Sequence, residues 1–269
     1  MAVIAFTSAS GSPGVTTTVL GLALCWPRPV VVVEADPTGG SGILAGYFRG
    51  QVPHAGGLIE LAMAQRQDLV AAELPRQLLD IPGSQARLLP GSRSHAQAGS
   101  LMPLWPPLLT ALRGLEDTGQ DVLVDAGRLG LDGSPQPLLQ GADLTLLLTR
   151  STLTALIAAT SWAETLREET AASVTSVGLV VVGEGQPYAT GEVGRALGLP
   201  VVAALPWDRR SAAVLSRGRQ GIRRRGALSA GLRAAGDAIR SLTNTVDLPS
   251  SPRSILARSL SLRVLGGSR

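Results

Sequence analysis

The amino-acid sequence predicts an α/β fold, a doubly wound and mostly parallel sheet of about seven strands with helices on both faces. Three observations lead there. Apolar runs of strand length alternate with longer helical patterns along most of the chain. Several of those runs, such as VVVVEA and LTLLLT, lack polar alternation, as strands covered on both faces require. Hydrophobic residues make up 45% of the chain and aromatics only 3%, so the core must be built from Val, Leu and Ala.

Taken in order, strands are expected at 2–6 (AVIAF), 30–35 (VVVVEA), 86–90 (ARLLP), 121–126 (DVLVDA), 144–149 (LTLLLT), 176–183 (SVGLVVVG) and 201–205 (VVAAL). Helical patterns fill 16–25, 57–66, 103–117, 151–169 and 189–197. Around 222–242, Leu228, Leu232, Ala235, Ile239 and Leu242 recur at steps of four, three, four and three, which is one apolar helix face. The following TNTVDLPSSPRS, rich in turn formers and proline, reads as a linker. The expected organisation is one domain over 1–242 and a basic C-terminal tail over 243–269, disordered or partner-binding.

Charge is unevenly distributed. All 24 basic residues are arginine, so no lysine from this chain can complete a phosphate site. Residues 1–208 carry 11 Arg against 18 acidic residues, a net of −7; residues 209–269 carry 13 Arg against 2, a net of +11. The stretch RRSAAVLSRGRQGIRRRG concentrates that charge, with Arg217, Arg219, Arg223, Arg224 and Arg225 as the candidate surface for an anionic partner. DNA, an anionic membrane surface and an acidic protein all fit such a surface, and so does a plainly solvated face. Cys25 is the single cysteine, which excludes an intramolecular disulfide and a cysteine-rich metal site. The N-terminus has no basic segment before its apolar run and reads as a first strand rather than a signal peptide. The expected location is cytoplasmic, with a peripheral position at the inner membrane or a cell pole as a further option.

Between the first strand and the first helix lies SASGSPGVTTT. A glycine-rich corner of this kind binds phosphate because unpaired N–H groups of the first helical turn, and the helix dipole, face the anion. Gly11, Ser12, Gly14, Val15, Thr16 and Thr17 are the candidate nucleotide-binding residues, and Thr16 supplies a hydroxyl suited to Mg²⁺. Val15 stands where such loops carry a lysine. Asp36 and Asp125, at the C-terminal ends of buried strands, lie where the crevice of an open parallel sheet forms. They are conditional catalytic carboxylates, with Asp36 also a conditional Mg²⁺ ligand.

The segment resembles the deviant Walker A motif of the ParA/MinD superfamily, S-x-K-G-G-x-G-K-[ST]-T, and aligns without a gap. Ser8, Gly11, Gly14, Thr16 and Thr17 match; Ser10 replaces the signature lysine, Ser12 a glycine and Val15 the phosphate-loop lysine. VVVVEADPTGG resembles the second strand and switch region through Asp36, with Glu34 in place of the first Asp. DVLVDAG resembles the Walker B strand through Asp125, and ALPWDRRSAAVLSRG resembles a later segment through Pro206, Asp208 and Gly218. In relatives that last region lies beside the nucleotide base, so Pro206 and Asp208 join the candidate nucleotide-binding residues. The "LPG" strand and the altered loop are most similar to the CpaE/TadZ branch, which localises Tad-type pilus or secretion machinery.

The resemblance implies ATP and Mg²⁺ as ligands and a homodimer. Loss of both lysines removes a few kcal/mol of phosphate attraction at an effective dielectric of about 20. Weak nucleotide binding or none is therefore expected, with hydrolysis impaired further because phosphoryl transfer depends on charge stabilisation. Arg128 and Arg150, at strand ends, are the arginines that could compensate. The expected function is a positioning or scaffold protein with a degenerate nucleotide site, acting on a protein partner within a localised assembly. An ATP-dependent switch with unusual phosphate contacts and a non-specific DNA-binding partition protein are the alternatives.

Overall fold

A computed structural model describes residues 1–171, 173, 175–218 and 226–246. The chain runs β1 (Val3–Ser8), α1 (Val15–Cys25), β2 (Val30–Glu34), a π-helical turn (Ile43–Tyr47), α2 (Leu58–Gln65), α3 (Val70–Glu73), β3 (Leu79–Asp80) and β4 (Ala86–Leu89). Then follow α4 (Trp105–Arg113), β5 (Asp121–Arg128), α5 (Gln136–Gln140), β6 (Leu144–Arg150), α6 (Leu153–Thr170), β7 (Ser176–Val182), α7 (Thr190–Leu197), β8 (Val201–Leu205), α8 (Arg209–Arg217) and α9 (Ala227–Val246). The strands form one sheet in the order β3-β4-β2-β5-β1-β6-β7-β8, parallel throughout except for β3.

The uniform apolar character of the strands follows from this layering. Successive side chains of a strand point to opposite faces. Val3 and Ala5 of β1, Val31 and Val33 of β2, and Val122 and Val124 of β5 enter the core beneath α2 to α7. Ile4, Phe6, Val30, Val32 and Leu123 enter the opposite core, closed by α1, α8 and α9. With both faces covered, neither parity can be polar.

Every expected strand is present, within two residues at either end. An eighth strand, β3, escaped the sequence reading because it has only two residues and pairs antiparallel at the sheet edge. Short, partly charged edge strands resist edge-to-edge aggregation. Among the helices, the short α3 and α5 and also α8 were not anticipated, and the last helix differs from the reading at both ends: α9 starts at Ala227 and continues to Val246, past the expected boundary at 242. The rest of the expected tail, 247–269, lies outside the described residues.

At the N-terminal edge of the sheet, Asp121 is fully buried and accepts three donors. These are the Ala2 N–H at 3.0 Å, the Trp26 indole N–H at 2.8 Å and the Arg28 guanidinium at 2.8 Å. Asp143 accepts the Val3 N–H at 2.7 Å. Two carboxylates thus pin the start of β1 in register, which fixes where its other end delivers the glycine-rich corner.

Candidate functional site

β1 is the strand at which the sheet order reverses, with β5 on one side and β6 on the other. A crevice opens at the C-terminal ends of such strands. The corner after β1 is tied in place by main-chain and side-chain bonds to the end of β5. The Thr7 hydroxyl donates to the Gly127 carbonyl at 3.1 Å, and the Leu129 N–H donates to the Ser8 carbonyl at 2.9 Å. Gly11, Ser12 and Gly14 have φ of 73°, 45° and 97°, a left-handed run that turns the chain sharply into α1. Gly14 is the N-cap of α1, so the free N–H groups of its first turn face the corner. The corner thus has the main-chain geometry that the sequence reading expected there.

The side chains are different. Val15 is only 7% exposed and packs into the core with Phe6, Val19 and Ile43, so hydrocarbon fills the position of the missing cation. Thr16 lies beside Asp125, and its hydroxyl acts to lower the Asp125 carboxyl. Asp125, buried at the end of β5, accepts the Gly127 N–H at 3.1 Å. Its Cα is paired in register with those of Phe6 and Glu34, which brings the Glu34 carboxylate into the same cluster. Burial, with the neighbouring charges of Asp36 and Glu34, pushes the Asp125 carboxyl up to about 7. Burial also raises Glu34, partly opposed by hydrogen bonds from Ser41 and from the Ile43 and Gly91 N–H groups. Asp36 accepts the Thr38 N–H and hydroxyl, both at 2.8 Å. It abuts Gly127 so closely that a Cβ there would lie 2.3 Å from its Cγ.

Gly11–Thr17, Asp36 and Asp125 thus converge on one end of the sheet. Pro206 and Asp208 follow β8, three strands from β1, or about 14 Å at ~4.8 Å per strand. Asp208 is the N-cap of α8: it accepts the Ser211 N–H at 3.0 Å and the Ser211 hydroxyl at 2.5 Å, and these bonds hold its carboxyl below the usual range. The Arg150 guanidinium, one of the two compensating candidates, lies 3.9 Å from the centroid of the Trp207 ring, and its buried Nε has no hydrogen-bond partner. It is thus held over the indole. Arg128, the other, is exposed at the end of β5 with its Cα paired to Ser8. Arg217 is exposed at the end of α8; Arg219, Arg223, Arg224 and Arg225 lie outside the described residues.

Two contributors escaped the sequence reading. Ser41 sits in a glycine-flanked loop that looks like any turn, and nothing in the sequence marks its bond to Glu34. Trp207 lay between two residues that were selected, Pro206 and Asp208, and its unusual size was the available signal. Among the described residues no group of three or more His, Cys, Asp or Glu side chains is arranged to hold a metal ion, so Mg²⁺ here would draw on the Thr16 hydroxyl and Asp36, with water or phosphate oxygens completing its shell. The backbone of the corner fits a phosphate; the side chains around it do not fit a polyanion.

No protein-family model and no curated protein sequence matches the chain. Solved structures do. The septum site-determining protein MinD of Pyrococcus horikoshii, complexed with Mg-ADP, is similar over 92% of this chain and 99% of its own, at 16% identity and a TM-score of 0.69. A ParA family ATPase from Chlorobium tepidum is similar over 88% and 97%, at 16% identity and a TM-score of 0.68. A MinC:MinD cell division complex from Aquifex aeolicus aligns over 90% and 96%, at 14% identity and a TM-score of 0.68. The chain has the fold of the MinD and ParA ATPases.

Proposed function

We propose that the chain is a positioning or scaffold protein of the ParA/MinD kind whose nucleotide site has lost its catalytic competence. The observation that carries this reading is the absence of a cationic side chain at the corner. A valine is buried where the resemblance places a lysine, and Asp125, with the carboxylates of Asp36 and Glu34 near it, lies beside Thr16. A triphosphate entering there meets main-chain N–H groups but no cation in the loop, and it faces negative charge across the sheet. The transition state for phosphoryl transfer, which needs positive charge more than the ground state does, is served less well still. Function then rests on surfaces: a protein partner in a localised assembly and a homodimer. The MinD neighbour solved with MinC supports a protein partner by analogy of fold. The strand Ala86–Leu89 followed by Pro90 and Gly91 supports the branch that localises Tad-type pilus or secretion machinery.

Calorimetric titration with Mg·ATP and Mg·ADP, paired with phosphate release, tests the proposal. The expected result is affinity weaker than millimolar and no turnover. Sub-millimolar binding with turnover that disappears in Asp125→Ala would replace it with the switch reading. The DNA-binding reading draws on Arg209, Arg210 and Arg217, all exposed on α8. It predicts DNA retention that falls steeply with salt and is lost when Arg223, Arg224 and Arg225 are neutralised.

A further inference from the structure

The segment after β2 leaves Asp36, passes over the start of α1 and ends in the π-helical turn Ile43–Tyr47. The Gly40 N–H ties it to the Ser92 carbonyl at 2.8 Å, and one side chain fastens the stretch from Ser41 to Ile43. Glu34, 5% exposed, accepts the Ser41 hydroxyl on one oxygen and the Ile43 N–H on the other at 3.0 Å, and Gly91 lies close against it. The Ser41 oxygen in turn accepts the Leu44 N–H at 3.0 Å, which starts the turn. At Gly42 the segment touches the loop helix, since a Cβ there would lie 3.6 Å from the Thr16 methyl. At its far end the turn is pressed against α8. A Cβ on Gly46 would stand 2.3 Å from the Ser216 carbonyl oxygen, and the Arg49 Nε donates to the Gly218 carbonyl at 2.5 Å.

We infer that Glu34 is a clasp: through Ser41 and Ile43 it holds residues 36–47 closed over Thr16, and the closed segment in turn holds α8, so that the corner and the arginine-bearing helix are mechanically linked. Reach, more than charge, is what the clasp needs. An aspartate is one methylene shorter and cannot bond Ser41 and Ile43 together from the same backbone position, whereas a glutamine keeps the length and one carbonyl oxygen. The Ser41 hydroxyl can then turn to accept from the glutamine amide. Glu34 is thus a positioning residue, and its role stands whether or not the chain binds nucleotide.

Hydrogen exchange on the full chain without nucleotide tests the clasp. In Glu34→Asp and Ser41→Ala, amides of 43–47 and of α8 should exchange about 5-fold faster or more, as follows from unpairing a buried polar group, while β1, β5 and β6 keep their protection. Glu34→Gln should stay close to the parent. Gly46→Ala leaves the clasp bonds in place but forces the turn off Ser216, so α8 alone should loosen. Unchanged exchange at 43–47 in both clasp variants would overturn the inference. So would loosening spread evenly over the sheet, or equal loosening in Glu34→Gln. Faster exchange at 43–47 with α8 unaffected in every variant would overturn the link to α8.

Discussion

Asp125→Asn isolates the electrostatic cost stored at the corner. In the folded protein the Asp125 carboxyl titrates at about 7 against an ordinary 3.8, and each pH unit of such a shift corresponds to about 1.4 kcal/mol. The difference amounts to a destabilisation on the order of 4 kcal/mol once the group is fully ionised. The sign follows from proton binding. Between pH 4 and 7 the folded state binds more protons than the unfolded state, so stability falls as pH rises through that window and the whole cost is present by pH 8. Asparagine removes the charge, keeps an oxygen for the Gly127 N–H, and can donate to the Thr16 hydroxyl oxygen. The Asn variant should therefore be more stable than the parent by a few kcal/mol at pH 8, with the gap closing toward pH 4. Glu34, raised in the same direction, and Asp36 face the same group, so some of the slope persists in the variant. Urea unfolding followed by fluorescence of the four tryptophans, at half-unit steps from pH 5 to 8, measures it. A variant less stable than the parent at pH 8, or a gap independent of pH, would refute the account of the site as an uncompensated carboxylate cluster.

Three further outcomes are expected. Val15→Lys should raise affinity for Mg·ATP about 10- to 100-fold by calorimetry, a fraction of the ~4 kcal/mol available to a close ion pair at an effective dielectric of 20; no change would mean that the carboxylates, not the missing lysine, exclude the ligand. Asp121→Ala leaves the buried Trp26 N–H and the Ala2 N–H unpaired and should cost about 3 kcal/mol in denaturant unfolding, whereas Asp121→Asn should cost less. Trp207→Ala removes the face on which Arg150 rests, worth about 1 kcal/mol, and should lower stability by roughly that amount with no change at the Asp125 end; a larger loss would mean that Trp207 also supports the sheet.

Some of this protein could be read directly from its residues. The seven main strands announced themselves because a sheet covered on both faces is mostly apolar on both. VVVV at 30–33 feeds two separate cores, and no helix or loop needs such a run. The glycine-rich corner was legible for a similar reason, since glycine adopts the left-handed φ found at Gly11 and Gly14 without steric cost. The absence of lysine from the corner was legible as well, because the chain has none. What the sequence left open were relations between distant segments. Glu34 looked like a shifted aspartate until the fold brought Ser41, Ile43 and Gly91 around it, and Arg150 looked available until Trp207, 57 positions later, lay beneath it. The acidity of Asp125 likewise depends on burial and on two carboxylates from another strand and its following loop. Backbone conformation and periodicity are local and survive in a linear string, whereas solvent exclusion and charge proximity exist only once the strands are side by side.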